Sequence, residues 1–307
     1  MSAAIVPVAP TRYVLVHYHI FKNGGSTIES ILEREFGEAF TTLHGPSSDC
    51  VLDGETLVHF LAGHPAVTAV SSHHLKYPKP SPRNTVLFDC CFLRHPLARL
   101  HSEYWHFRRA NDADPCCHLA RRYSARDYLR RLIEEAPNRV SNVQVNLLSS
   151  AGAFTRPADE DDLAAAIAVL RRMAIPGVVR MFDESLVAAE YYLRPAFPDL
   201  HLDYTVQNAG RAGLMSDEAL AADWGEDLYD QLARLNHLDF DLLRRAREEI
   251  GRRLELLPNL AERLAEFKRR CRQRQLPAAS MPEPLRVAES FPDAATHAAV
   301  AAMAHRG

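Results

Sequence analysis

The residues best equipped for chemistry begin with the run Lys22, Asn23, Gly24, Gly25, Ser26 and Thr27, which sets a cation, two glycines and two hydroxyls side by side. Glycine reaches backbone conformations with positive φ and lets the chain approach a ligand closely. At the start of a helix the free N–H groups and the helix dipole both favour an anion. This combination describes a phosphate cradle. It is not the kinase-type loop, in which the lysine follows the glycines, because here the lysine precedes them. Taken alone, the stretch also fits an ordinary turn between a strand and a helix.

A second group comprises His73, His74, Arg94 and Ser102. A neutral imidazole can remove a proton near pH 7, and of two adjacent side chains on an extended segment only one faces a given side. An arginine fork meets a phosphate with two parallel hydrogen bonds, and a hydroxyl fills a remaining acceptor. Arg94 and Ser102, eight residues apart, therefore suit a second phosphate. Each of these residues also has an ordinary structural reading, as a carbonyl cap, an ion-pair partner or a solvated hydroxyl.

The elements that must hold these groups read as alternating strands and helices. Arg12 to Ile20 is rich in β-branched and aromatic residues, as a buried strand requires. A helix follows, with Ser26 and Glu29 at capping-box spacing and Ile28, Ile31, Leu32 and Phe36 as its apolar stripe. Ala66 to Ser72 reads as a strand ending at the histidine pair. Asn84 to Leu93 reads as a strand running into Arg94, after which Pro96 opens a helix whose stripe is Leu97, Leu100, Tyr104 and Phe107. Open α/β sheets bind ligands at the carboxyl ends of their strands, where these candidates fall. The expected fold is α/β, a P-loop-like central parallel sheet flanked by helices, with a helical insertion and a helical C-terminal part.

Elsewhere the pattern predicts a polar loop over Thr41 to Gly54, a helix over Glu55 to Ala62, and a polar loop over Asn111 to Cys117. Helices over Ala125 to Glu135, Ser141 to Ser149 and Glu160 to Met173 form the insertion. A strand over Gly177 to Phe182, a helix over Glu184 to Phe197 and a short edge strand over His201 to Val206 follow. Gln207 to Gly213 reads as a loop in which Arg211 either reaches a phosphate or is simply solvated. Helices over Glu226 to Asn236 and Asp239 to Arg274 close the sequence, the second with basic runs read as a solvated face. The expected organisation is an extension over residues 1–11, one α/β domain over 12–274, and a flexible tail over 275–307.

Composition limits the alternatives. The chain has 307 residues, 47% of them hydrophobic, which supplies a substantial core. A net charge of −3, from 36 basic and 39 acidic residues, gives no bulk attraction to nucleic acid or to a membrane surface. The N-terminal stretch falls short of the roughly 20 apolar residues of a span, so a cytoplasmic location and no membrane span are expected. The six cysteines, two adjacent pairs among them, show no C-x-x-C spacing, and neither a metal nor a disulfide framework is expected. Cys90 and Cys91 read as strand core.

With these residues assembled, the chain resembles the sulfotransferases that use 3′-phosphoadenosine 5′-phosphosulfate, most of all the heparan and dermatan sulfate 2-O-sulfotransferase branch. HYHIFKNGGST is similar to that family's 5′-phosphosulfate loop, and FLRHPLARLHSEYWHFRR to its 3′-phosphate motif. SSHHLKY is similar to the stretch carrying the catalytic histidine, aligned on His74 with His73 as the fallback. Weaker similarity through FDESLVAAEYYL extends the match from Tyr13 to about Arg253. Phe21 and Asn23 depart from the family's proline and threonine. The resemblance implies in-line sulfuryl transfer from the donor to a carbohydrate hydroxyl. Lys22 would stabilise the leaving phosphate, Asn23 to Thr27 would cradle it, Arg94 and Ser102 would hold the 3′-phosphate, and His74 would act as base. The alternatives are an inactive nucleotide-binding scaffold of the same fold or a P-loop kinase. The latter is disfavoured by the position of Asp89 within a strand.

Overall fold

The computed structural model describes residues 11–47, 50–110, 114–149, 156–205 and 216–275. Its centre is a five-stranded, fully parallel sheet in the order β2-β3-β1-β4-β5. The strands are β1 (Arg12–Tyr18), β2 (Phe40–Thr42), β3 (Ala69–Ser72), β4 (Thr85–Leu93) and β5 (Ile175–Val178). From Val14 to Tyr18 every residue of β1 is buried, because helices cover both faces of a parallel sheet. Twelve α-helices are described: α1 (Gly25–Phe36), α2 (Gly54–Gly63), α3 (Pro96–Arg109), α4 (Pro115–Arg122), α5 (Ala125–Glu135), α6 (Val143–Ser149), α7 (Glu160–Arg172), α8 (Phe182–Leu193), α9 (Asp217–Trp224), α10 (Glu226–Leu235), α11 (His237–Glu255) and α12 (Leu260–Gln275). The expected α/β architecture is therefore the observed one.

The chain leaves β1 for one edge of the sheet, returns through β2 and β3, then crosses to β4 and β5. The direction of winding thus reverses around β1, the arrangement that opens a ligand crevice at the carboxyl ends of the strands. Ile28, Ile31 and Leu32 are the buried stripe of α1, each contributing about 1.5–3 kcal/mol by leaving water. A second apolar cluster joins Leu97, Leu100 and Tyr104 of α3 to Tyr128 and Leu129 of α5 and to Trp224 and Leu228 of α9 and α10. The insertion therefore has its own core, and α3 ties that core to the sheet.

Several boundaries differ from the sequence reading. β2 overlaps the start of the stretch read as a loop from Thr41; three residues are too short for a periodicity signal, and its pairing with β3 defines it. The expected strand over Gly177 to Phe182 instead runs from Ile175 to Val178, followed by a 3₁₀ turn over Val179–Met181. Pro176 is tolerated because β5 is an edge strand, which need not donate on both sides. No strand forms over His201 to Tyr204. Asn111 to Cys117 is not all loop: Asp114 accepts from the N–H of Cys116 and starts α4, burying Cys116 and Cys117. Cys90 and Cys91 are buried in β4 as expected.

The long final helix is two helices, α11 and α12, broken around Pro258 with Asn259 at φ 56°. Its basic runs are only partly solvated. Arg253 donates to the carbonyls of Met173 and Ala174 and fastens α11 to the end of α7, and Arg270 pairs with Glu190 and Asp203. The 1–11 extension lies outside the described residues apart from Thr11, the 275–307 tail apart from Gln275, and Gln207 to Gly213 wholly. None of the described helices is long and apolar enough to cross a membrane.

Candidate functional site

The carboxyl ends of four adjacent strands carry the candidate groups. The loop His19 to Gly24 follows β1, His73 and His74 follow β3, Arg94 follows β4, and Arg180 follows β5. Strand order, rather than nearness in sequence, thus brings the separate motifs to one crevice.

The loop after β1 requires both of its glycines, for different reasons. Gly24 adopts φ 82° at the N-cap of α1, a left-handed conformation that disfavours a side chain. At Gly25 a Cβ would lie 1.7 Å from Nε2 of His19, so the imidazole occupies the space that any larger residue would need. The N–H groups of Gly24, Gly25 and Ser26 meet no acceptor among the described residues, whereas Thr27 N–H bonds the carbonyl of Gly24 at 3.1 Å. Donors of this kind at a helix start favour an anion. No side chain caps α1. The expected capping box is absent: Ser26 is exposed, and Glu29 turns inward to Ser71 and His19.

Lys22 has φ 67°, and Arg94 steadies this left-handed conformation by donating from Nη1 to the Lys22 carbonyl at 2.8 Å. The Lys22 ammonium lies 5.4 Å from the centre of the Phe21 ring, and no carboxylate pairs with it among the described residues. Burial lowers its pKa, and the nearby charges of Arg94 and Arg109 lower it further against a weaker pull from Glu103. Arg94 is lowered to about 10 by burial and by Arg99 and Arg180. Five cations, Lys22, Arg94, Arg99, Arg109 and Arg180, therefore contribute to this field, of which Arg99 is already paired with Glu103, and a polyanion relieves it.

Asn23 departs from its expected role. Its side chain is buried and donates to the carbonyl of Phe92 at 2.7 Å and to Oε1 of Gln144 at 2.8 Å, so this amide braces the loop from below. Gln144, at the start of α6, was not singled out in the sequence. It is fully buried, accepts from the Arg94 N–H at 2.9 Å and donates to the Arg94 carbonyl at 2.9 Å. One side chain thus fixes both Asn23 and the backbone of Arg94. Asp239 holds Gln144 in turn, accepting from the N–H groups of Gln144 and Val145. Arg180 was likewise missed, and a lone arginine after a strand offers little signal. Ser102 stands half-buried on α3, six residues into the helix that Arg94 precedes.

The two histidines after β3 are held in opposite tautomers. Nδ1 of His74 accepts from the N–H of Gly45 at 2.7 Å, so in the neutral ring the proton sits on Nε2. Nδ1 of His73 faces the carbonyl of His19 at 3.1 Å and must donate, which leaves Nε2 of His73 as the basic nitrogen. His73 also stacks on His19 at 3.7 Å and meets the edge of Phe21 at 6.0 Å, beside Lys22. Burial first, then the neighbouring His19, lowers its pKa to about 3.

No family model matches the chain. The chain is similar to an uncharacterised protein of Archaeoglobus fulgidus, 27% identical over 241 residues, which is 75% of this chain and 94% of that protein.

Proposed function

We propose that the protein is a sulfotransferase that carries a sulfuryl group from 3′-phosphoadenosine 5′-phosphosulfate to a hydroxyl of a carbohydrate. The observation that carries this reading is the direct link between the two anion-binding elements. Arg94 hydrogen-bonds the Lys22 carbonyl beside a helix start whose first three N–H donors meet no acceptor among the described residues, so two candidate phosphate-binding groups stand next to each other rather than at unrelated ends of the sheet. The resemblance of the motifs supplies the identity of the donor, and the cytoplasmic location belongs to the same proposal.

In this reading Lys22 and the N–H groups of Gly24 to Ser26 stabilise charge developing on the departing 5′-phosphate. Arg94, with Ser102 further along α3, selects the 3′-phosphate. The donor is held in line for attack, so positioning contributes much of the acceleration. His73 is better arranged as the base than His74, because its Nε2 is the unprotonated nitrogen. The negative charge of a bound donor would raise the low pKa of His73 toward the working range.

The kinase reading weakens further. Asp89 accepts from the Tyr77 hydroxyl, the Lys79 ammonium and the N–H of Ala174, and so serves the sheet. The inactive-scaffold reading draws on the inward-facing amide of Asn23. Calorimetric titration with adenosine 3′,5′-bisphosphate and with AMP, on wild type and Arg94→Ala, tests the donor site. The bisphosphate should bind much more tightly than AMP, and Arg94→Ala should remove that preference. Equal binding of the two ligands would reject the assignment. A transfer assay against a panel of polysaccharides should then show His73→Ala inactive and His74→Ala less affected, whereas binding without transfer to any acceptor would favour the scaffold.

A further inference from the structure

A cluster beneath the phosphate loop has a composition that sulfuryl transfer does not call for. His17 of β1 and His19, just past its end, are two apart on extended backbone, whose alternation sends both rings to the same face, where they stack at 4.9 Å. Glu29 reaches them from the first turns of α1. One donor atom from each of the three lies within 4.8 Å of the other two. Ser71 of β3 completes the group: Nδ1 of His17 bonds its Oγ at 2.9 Å, and that hydroxyl donates to Oε1 of Glu29 at 2.8 Å. Nδ1 of His19 lies 2.9 Å from the same carboxylate oxygen.

The Glu29 side chain is only 27% exposed, and among the described residues no lysine or arginine pairs with it. Two histidine nitrogens with one carboxylate are a common donor set for zinc and related divalent ions. The comparable group of Glu190, His201 and Asp203 differs, because Arg270 and Arg274 already supply its positive charge.

We propose that His17, His19 and Glu29 form a binding site for a divalent first-row transition ion, zinc foremost, with Ser71 beside the open position. The site joins β1, β3 and α1. It faces Nδ1 of His19, while Nε2 of the same ring packs over Gly25, so the ion braces the phosphate loop from behind and does not enter the crevice. The inference is independent of the sulfotransferase reading.

The test uses the full chain after removal of metal with a chelator. Addition of cobalt(II) should produce the visible absorption bands of a low-symmetry nitrogen and oxygen site, saturating at one equivalent. Zinc should abolish those bands by displacement and raise the melting temperature. Glu29→Gln and His17→Asn should each bind zinc at least roughly hundredfold more weakly, beyond the cost of losing an outer-sphere partner. Folded wild type without cobalt bands would overturn the proposal, even if neither variant folds. Unchanged zinc affinity in either folded variant would also overturn it, by placing the ion on other histidines.

Discussion

Replacing Gln144 with methionine keeps the volume of the side chain and deletes its polar atoms, which makes the substitution a clean probe of the bridge between the two elements proposed to bind phosphate. In the wild type its amide meets the Arg94 N–H and carbonyl at 2.9 Å each and accepts from Asn23 at 2.8 Å. Asn23 keeps its bond to the Phe92 carbonyl. The principal loss therefore falls on the two buried backbone groups of Arg94. Leaving a buried polar group without its partner costs about 1–3 kcal/mol, so Gln144→Met should destabilise the fold by about 2–6 kcal/mol with little cavity contribution. Urea denaturation gives this difference directly. Because Arg94 is released at its backbone, adenosine 3′,5′-bisphosphate should also bind roughly tenfold more weakly, equivalent to about 1.4 kcal/mol, while AMP should be less affected. A variant with the stability and bisphosphate affinity of wild type would refute the argument that α6 positions Arg94.

Gly25→Ala should cost about 1–3 kcal/mol by overpacking against the His19 ring. If that ring is the obstacle, the double variant with His19→Ala should be more stable than the sum of the single effects by at least about 0.5 kcal/mol in a thermodynamic cycle; strict additivity would place the strain elsewhere. Lys76 gives a pH prediction. It is 7% exposed and donates to the His73 carbonyl, and burial lowers its pKa from 10.5 to about 8. Between those values the unfolded chain binds more protons than the folded one, so stability should rise with pH across that interval. Relative to Lys76→Met, wild type should gain up to about 3 kcal/mol between pH 8 and 10.5. A flat difference between the two denaturation series would show that the ammonium is not desolvated.

The sequence by itself determined the local units of the site. Strand, glycine loop and helix were legible from Arg12 to Phe36, and β4 followed by the Pro96 helix was legible, because backbone preferences and hydrophobic period act over a few residues. Burial of β1 on both faces, the need for glycine at position 24 and the order of the motifs were accessible in the same way. Where the local signal was short the reading failed, as for the three residues of β2 and for α4, whose Asp-Pro start was taken for a loop.

Only the tertiary structure decided how the polar side chains are used. Asn23 looked like a donor to phosphate, yet its nearest acceptors are a strand carbonyl 69 residues away and a glutamine 121 residues away. Glu29 had the spacing of a helix cap, yet the neighbouring strand offered Ser71 and the loop after β1 offered His19. The choice between His73 and His74 rests on which backbone group faces each ring, the carbonyl of His19 just after β1 or an N–H from the loop at Gly45. A buried amide, carboxylate or imidazole takes whatever partner the fold brings within hydrogen-bonding distance. That partner is set by strand order and helix packing, which no window of local sequence contains.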